Sequence, residues 1–209
     1  MDNPLHKHGR FFDVWAQWYR LTPFGLELRR IQRLALERLR AVPGQKVLDL
    51  GCGPGDGASW LRKRGVDAVG LDYSDGMLEK ARKDSYLGGR LTRGDAGRLP
   101  FKDGAFDKLV CTNSFHHYPD HTSALREMRR VLKPGGLMLL VDPRQDHFFG
   151  RLAIEIVEEK VFGLKEVRIY GMEEWHRLLR DAGFASVTTN AGAIWQPVAW
   201  GEVFIEAIA

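Results

Sequence analysis

The chain has 209 residues, enough for one domain with a substantial core. Its 44% hydrophobic and 28% charged residues are the balance of a folded globular protein, which excludes a disordered chain. A net charge of +4 does not by itself imply nucleic acid, and two cysteines exclude a disulfide framework or a cysteine-built zinc site.

Residues 1 to about 42 precede the first strand. Phe11, Phe12, Trp15, Trp18 and Tyr19 recur there at mostly helical spacing. Core packing accounts for most of them; closure over a cleft is the functional alternative. MDNPLHKHGRFF carries no apolar leader, and no apolar run reaches membrane-spanning length, so a cytoplasmic location is expected. A helix follows from about Pro23 to Arg40, with Leu28, Ile31, Leu34, Ala35 and Leu39 facing inward. Arg29, Arg30, Arg33 and Arg40 read as a solvated face before a patch for nucleic acid or anionic lipid. Pro43-Gly44 ends the helix.

Val47-Leu48-Asp49-Leu50-Gly51-Cys52-Gly53-Pro54-Gly55 reads as a buried strand running into a glycine-rich turn. Asp49 interrupts the apolar run. A carboxylate in a buried strand is costly unless something binds it, so it points into a site. Gly51, Gly53 and Gly55 allow a ligand close to bare backbone. A dinucleotide fingerprint would need a third glycine at position 56, where Asp56 would repel a pyrophosphate.

From Lys46 strands and helices alternate, predicting a parallel sheet covered on both faces. A second strand, Ala68 to Leu71, ends at Asp72, on the edge where open α/β sheets bind ligands. A carboxylate there suits a ribose diol in NAD enzymes and adenosylmethionine enzymes alike. Helix capping falls to Ser74 and Asp75. The next helix, Gly76 to Tyr86, turns Met77, Leu78 and Ala81 inward; Met77 suits an adenine face or the core equally. A short third strand, Arg90 to Arg93, leads to Gly94-Asp95-Ala96, a turn whose Asp95 carboxylate and Ala96 N–H match an adenine edge. Phe106 to Thr112 is the fourth strand, followed by Asn113-Ser114-Phe115-His116-His117. Ala124, Leu125, Met128, Val131 and Leu132 share a helix face, ended by Pro134-Gly135-Gly136, and Leu137 to Val141 is the fifth strand. Phe148, Phe149, Leu152, Ala153, Ile156, Val157 and Val161 predict an amphipathic lid or covering helix. Glu173 to Ala182 is a helix ended by Gly183, and Phe184 to Thr189 and Glu202 to Ile208 are closing strands. Trp195, Pro197 and Trp200 between them line an apolar pocket or pack the hairpin.

VLDLGCGPG resembles the first motif of the class I S-adenosylmethionine-dependent methyltransferases. LPFKDGAFDKLV, NSFHHYPD and ALREMRRVLKPGG match, in order and spacing, the small-molecule branch often called type 11; the resemblance covers roughly residues 43 to 142. FFDVWAQWY resembles the segment that partly closes the site in such enzymes, although Arg20 stands where relatives often carry Asp. The resemblance implies a Rossmann-like, doubly wound, mostly parallel seven-stranded sheet with an antiparallel last strand. It implies one domain: a cap over 1–42, a cofactor-binding core over 43–142, and a lid helix with closing strands over 143–209. It also implies S-adenosyl-L-methionine as cofactor, S-adenosyl-L-homocysteine as product, and Asp49, Gly51, Cys52, Gly53, Gly55, Asp72, Tyr73, Met77, Asp95, Ala96 and Asn113 as the cofactor set.

Methyl transfer from a sulfonium is an in-line displacement that needs positioning and electrostatics, so no metal is expected. His116 and His117 stand at the ligand edge in the useful titration range and, with Tyr19, are the candidates for handling an acceptor proton; pocket shaping is the alternative. His6, His8, His121, His147 and His176 read as surface or loop residues. The Asn113-Ser114-Phe115-His116 sequence lacks the Pro-Pro of enzymes acting on adenine or amide nitrogens. The expected partner is a small, partly hydrophobic or lipid-like acceptor. Peripheral membrane contact is compatible with it, and nucleic acid is not expected. A macromolecule methyltransferase docking through the arginine-rich helix and a catalytically silent cofactor-binding module are the alternatives. An NAD enzyme ranks behind both because of Asp56.

Overall fold

The computed structural model describes residues 11–17, 21–153, 156, 167–191 and 201–209. His6, His8, Trp18, Tyr19, Val157, Val161, Trp195, Pro197 and Trp200 lie outside the described residues.

Seven strands form one sheet in the order β3-β2-β1-β4-β5-β7-β6. They are β1 (Lys46–Leu50), β2 (Asp67–Asp72), β3 (Leu91–Arg93), β4 (Phe106–Thr112), β5 (Leu132–Pro143), β6 (Ser186–Ala191) and β7 (Glu202–Ile208). β1 pairs in parallel with β2 and β4, and β4 with β5; β7 runs antiparallel to both β5 and β6. The helices are α1 (residues 11–15 among those described), α2 (Pro23–Leu39), α3 (Asp56–Arg62), α4 (Asp75–Ala81), α5 (His121–Val131), α6 (Phe148–Ala153) and α7 (Met172–Asp181).

The two-residue period of a strand divides the core into layers. Val47, Ala68, Val110, Leu139 and Val141 pack with Ile31, Ala35, Leu36 and Leu39 of α2 and with Ala58 and Leu61 of α3. Leu48, Leu50, Leu109, Cys111, Met138 and Leu140 face the other way, onto α5 and α7. Both faces of the central strands are therefore covered, as their apolar sequence requires.

Several boundaries differ from the sequence expectation; β6, for one, spans Ser186–Ala191 rather than Phe184 to Thr189. α4 stops at Ala81 and the chain continues through a 3-10 turn at Ser85–Leu87, where Asp84 accepts from the Tyr86 N–H at 2.9 Å. The stretch after α5 enters the sheet early: Leu132 already pairs with Phe106, and residues 133–136 loop out before Leu137 pairs with Lys108. Pro134-Gly135-Gly136 is therefore an irregularity within β5. Gly135 lies at φ 77°, which a glycine adopts without strain.

α2 runs back toward the start of β1. Lys108 at the lower edge donates to the carbonyls of Leu39 and Arg40 at 2.7 and 2.9 Å. Arg29 reaches Asp56 on α3, just past the carboxyl end of β1, at 3.2 Å. Residues 21–26 consequently stand above the edge of the sheet where the glycine turn lies.

Candidate active site

The carboxyl ends of β1, β2, β4 and β5 bring one group of polar residues together. Asp49 is 1% exposed, and its Oδ2 has no hydrogen-bond partner among the described residues. Burial pushes its carboxyl up to about 7, against the Ala58 N–H, which lowers it, while Asp72 and Asp56 raise it further. A Cβ added at Gly57 would lie 2.6 Å from Asp49 Oδ2, so glycine is needed where α3 passes over this carboxylate.

The turn after β1 divides its labour. Gly51 (φ 69°) presses against the turn after β4, where an added Cβ would lie 2.1 Å from Ser114 Oγ. Gly53 (φ 52°) meets only Met77 Sδ, at 3.9 Å, leaving a bare backbone surface. Gly55 faces Leu87 and Ala81 instead, and Cys52 is buried with its Sγ over Gly70, so both of these side positions serve packing. Asp72 accepts from the Gly53 N–H at 2.8 Å and from the Ser74 N–H at 2.9 Å, one bond on each oxygen. Each oxygen retains acceptor capacity. Burial raises the Asp72 carboxyl, and the N–H bonds of Ser74 and Gly53 oppose the shift. Ser74 caps α4 by accepting from Met77 N at 3.1 Å, as the sequence reading assigned. Met77 is buried, Tyr73 lies under the Arg93 guanidinium at 5.3 Å, Asp95 accepts from the Gly97 N–H at 2.8 Å, and Ala96 is buried beside it.

Across the cleft, Asn113 takes a left-handed conformation (φ 47°) and donates its N–H to Val141 O at 2.8 Å. With its amide turned to donate, its side chain lies 3.1 Å from Glu202 Oε1. His116 is 2% exposed and its Nδ1 lies 2.8 Å from Oδ1 of the fully buried Asp142. His117 packs against His116 with ring centroids 4.0 Å apart and the planes tilted by 51°, and it meets the Phe12 ring edge at 4.9 Å, so α1 reaches the turn after β4. Beyond the end of β2, Asp13 of α1 accepts from Ser74 Oγ at 2.6 Å and from Gly76 N at 2.8 Å.

Asp142 and Glu202 belong to this group and were missed from sequence. Asp142 carried a readable signal, an acid at the end of an apolar parallel strand, as at Asp72. The reading of His121 as a surface residue is corrected: its Nε2 donates to Phe115 O at 2.9 Å and its Nδ1 accepts from Tyr170 Oη at 2.6 Å. Burial lowers its imidazolium to about 4, so it is a neutral clasp on the segment that carries Tyr170. His176 lies on α7 and bonds Thr189 Oγ1 at 3.0 Å. Among the described residues no cluster of three or more His, Cys, Asp or Glu side chains could hold a metal ion.

A parallel sheet with this strand order, a reversed seventh strand, a glycine turn after β1 and an acid ending β2 defines the class I, Rossmann-like transferase architecture. A family model described as a methyltransferase domain matches residues 48–140. A demethylmenaquinone methyltransferase of Staphylococcus aureus is 33% identical over 218 residues, spanning 91% of this chain and 90% of that protein. Methyltransferase GfsG of Streptomyces halstedii is 36% identical over 137 residues; the match covers 63% of this chain and about half, 49%, of that protein. Among solved structures, a SAM-dependent methyltransferase of Thermotoga maritima, described as a possible histamine N-methyltransferase, superposes with a TM-score of 0.74 at 26% identity, covering 97% of this chain and 98% of that one. The chain belongs to the class I S-adenosylmethionine-dependent methyltransferases.

Proposed function

We propose that this chain binds S-adenosyl-L-methionine along the carboxyl edge of β1 and β2 and methylates a small, lipid-like acceptor lying between that edge and the α1 cap. The observation that carries the reading is the pairing of Gly53 and Asp72: a bare backbone surface beside a carboxylate whose two oxygens are already aimed by N–H groups of the turn and of α4. Such a carboxylate suits a ribose diol, with Asp95 and Ala96 at the adenine edge, Met77 and Tyr73 flanking it, and Gly51 and Asn113 toward the methionine end. The buried Asp49 Oδ2, which has no hydrogen-bond partner among the described residues, fits a cofactor that carries positive charge. Bound there, the cofactor supplies an activated methyl group. The chain's own work is to orient the acceptor, exclude water and receive a proton where the acceptor has one to lose. His116, held through Nδ1 by Asp142, is the group we assign to that last task. Under this reading residues 1–42 act as cap, 43–142 as cofactor core and 143–209 as lid and closing strands of one domain. The unbridged, buried Cys52 and Cys111 suit a reducing, cytoplasmic setting. The acceptor class follows from the demethylmenaquinone methyltransferase relative, which aligns over nearly its whole length.

Calorimetric titration with S-adenosylmethionine, S-adenosylhomocysteine and NAD tests the cofactor: binding of the first two without NAD is expected. Transfer of labelled methyl to reduced demethylmenaquinone tests the acceptor. Binding without transfer would retain the cofactor and reject this acceptor.

A further inference from the structure

The exposed apolar side chains are unevenly placed. Val14, Leu21, Phe24, Leu26 and Phe148 are five of the eight large hydrophobic residues exposed among the described residues, at 62, 75, 37, 55 and 64%. The Arg29–Asp56 pair fixes the level of α2 against the sheet, so Leu21, Phe24 and Leu26 project past the ligand edge. Trp15 lies 6.3 Å from Phe24 and ties α1, with Val14, to the same rim. Phe148 begins α6, shortly after β5 leaves the sheet at that edge.

A basic collar lies just behind this rim. Arg30 and Arg33 follow Leu26 at helical spacings of four and seven, on one face of α2, and both are exposed. Arg29 and Arg38 are engaged with Asp56 and Glu206, whereas Arg30 and Arg33 make no ion pair among the described residues. Arg151, exposed, follows Phe148 by one turn and repeats the pattern. An apolar tip backed by arginines is the arrangement that seats a protein in a bilayer interface, the tip among acyl chains and the guanidinium groups at anionic headgroups.

We infer that the rim formed by α1, the first turn of α2 and the start of α6 docks on an anionic lipid surface, with the mouth of the cleft facing the bilayer. An apolar acceptor would then pass from lipid to protein without crossing water. The inference rests on the lipid-like acceptor proposed above, and charge complementarity selects the occupant. An RNA would match the arginines but not the leucines. A second copy of the chain would meet the same positive charges.

Flotation of the purified protein with vesicles is the test, using phosphatidylcholine mixed with phosphatidylglycerol and phosphatidylcholine alone. Flotation with the mixed vesicles is expected, weakened by salt. The double variants Leu21→Ser/Leu26→Ser and Arg30→Glu/Arg33→Glu should each partition about tenfold less or lower. S-adenosylhomocysteine affinity should be unchanged in both, because all four side chains are exposed and none belongs to the residues assigned to the cofactor. Absence of flotation, or flotation indifferent to both variants, overturns the inference. So does a wild-type dimer in sedimentation equilibrium that Leu21→Ser/Leu26→Ser converts to monomer, since a second copy would then cover the rim. Flotation without cofactor binding would instead reject the methyltransferase reading and keep the surface.

Discussion

Burial governs the chemistry of Asp49. Folded, its carboxyl titrates near 7; unfolded, it returns to the ordinary 3.8. The folded state therefore binds one more proton between those values, and this residue's contribution to stability falls as pH rises from about 4 to 7. The full span is on the order of a few kcal/mol. Asp49→Asn should melt above the wild type at pH 8 and converge with it near pH 4; equal differences at both would contradict the raised titration. At Asp72 the expected effect is on affinity. Asp72→Ala should weaken S-adenosylhomocysteine binding by roughly 1–3 kcal/mol, because polar partners lose their acceptor. Calorimetry on a variant with native circular dichroism checks this, and unchanged affinity would remove Asp72 from the site. Asp142→Asn should lower methyl transfer to reduced demethylmenaquinone by about a hundredfold or more if His116 receives the proton. Its S-adenosylhomocysteine affinity should stay intact, and an undiminished rate would dismiss the pair from the chemistry. Asp49, the glycines and Asp72 were legible because each is interpreted by its immediate neighbours in sequence. Asp142 carried the same strand-end signal and was overlooked; Glu202 was not legible, because β-pairing between distant segments brings it to Asn113. His121 is buried by Tyr170, 49 residues away, which no local pattern announces.

Among the elements, α1 is the one whose position a single atom decides. It spans the cleft from Ser74 and Gly76 on one side to His117 on the other. A Cβ added at Gly76 would lie 2.7 Å from Asp13 Cα and 2.8 Å from Asp13 O, backbone atoms that cannot rotate away. Gly76→Ala should therefore lift α1 while leaving the α4 backbone helical. Faster amide exchange over residues 11–17 and faster S-adenosylhomocysteine release, by stopped flow, are the expected outcomes. Unaltered exchange there would show that the cap does not depend on this contact. The aromatic helix could be read from the sequence but not its contact with Gly76, which reads locally as an ordinary first-turn residue. Element boundaries failed where tertiary bonds overrode local signals. Pro134-Gly135-Gly136 has the composition of a terminator, yet pairing of Leu132 with Phe106 places it inside a strand.

At the scale of the whole molecule, strand alternation and the order of motifs were sufficient to anticipate a doubly wound sheet. The antiparallel β6–β7 hairpin was expected only through resemblance, because short strands of mixed polarity carry no direction in their sequence. The hairpin contributes to the site as well as to the edge: β7 begins at Glu202, level with Pro143 of β5, and so delivers a buried acid to Asn113.

The contact between Arg29 and Asp56 has a consequence for selectivity. The turn after β1 opens a helix, and a helix opening is where phosphate groups of common metabolites would otherwise settle. Here a carboxylate of the chain itself already stands in that place, with an arginine from α2 as its counterion. Nucleoside phosphates, which share the adenosine half of the ligand this edge suits, would bring their charge against Asp56. The opening of α3 is thus filled by a carboxylate and counterion of the chain itself, and the same two residues set the height of α2.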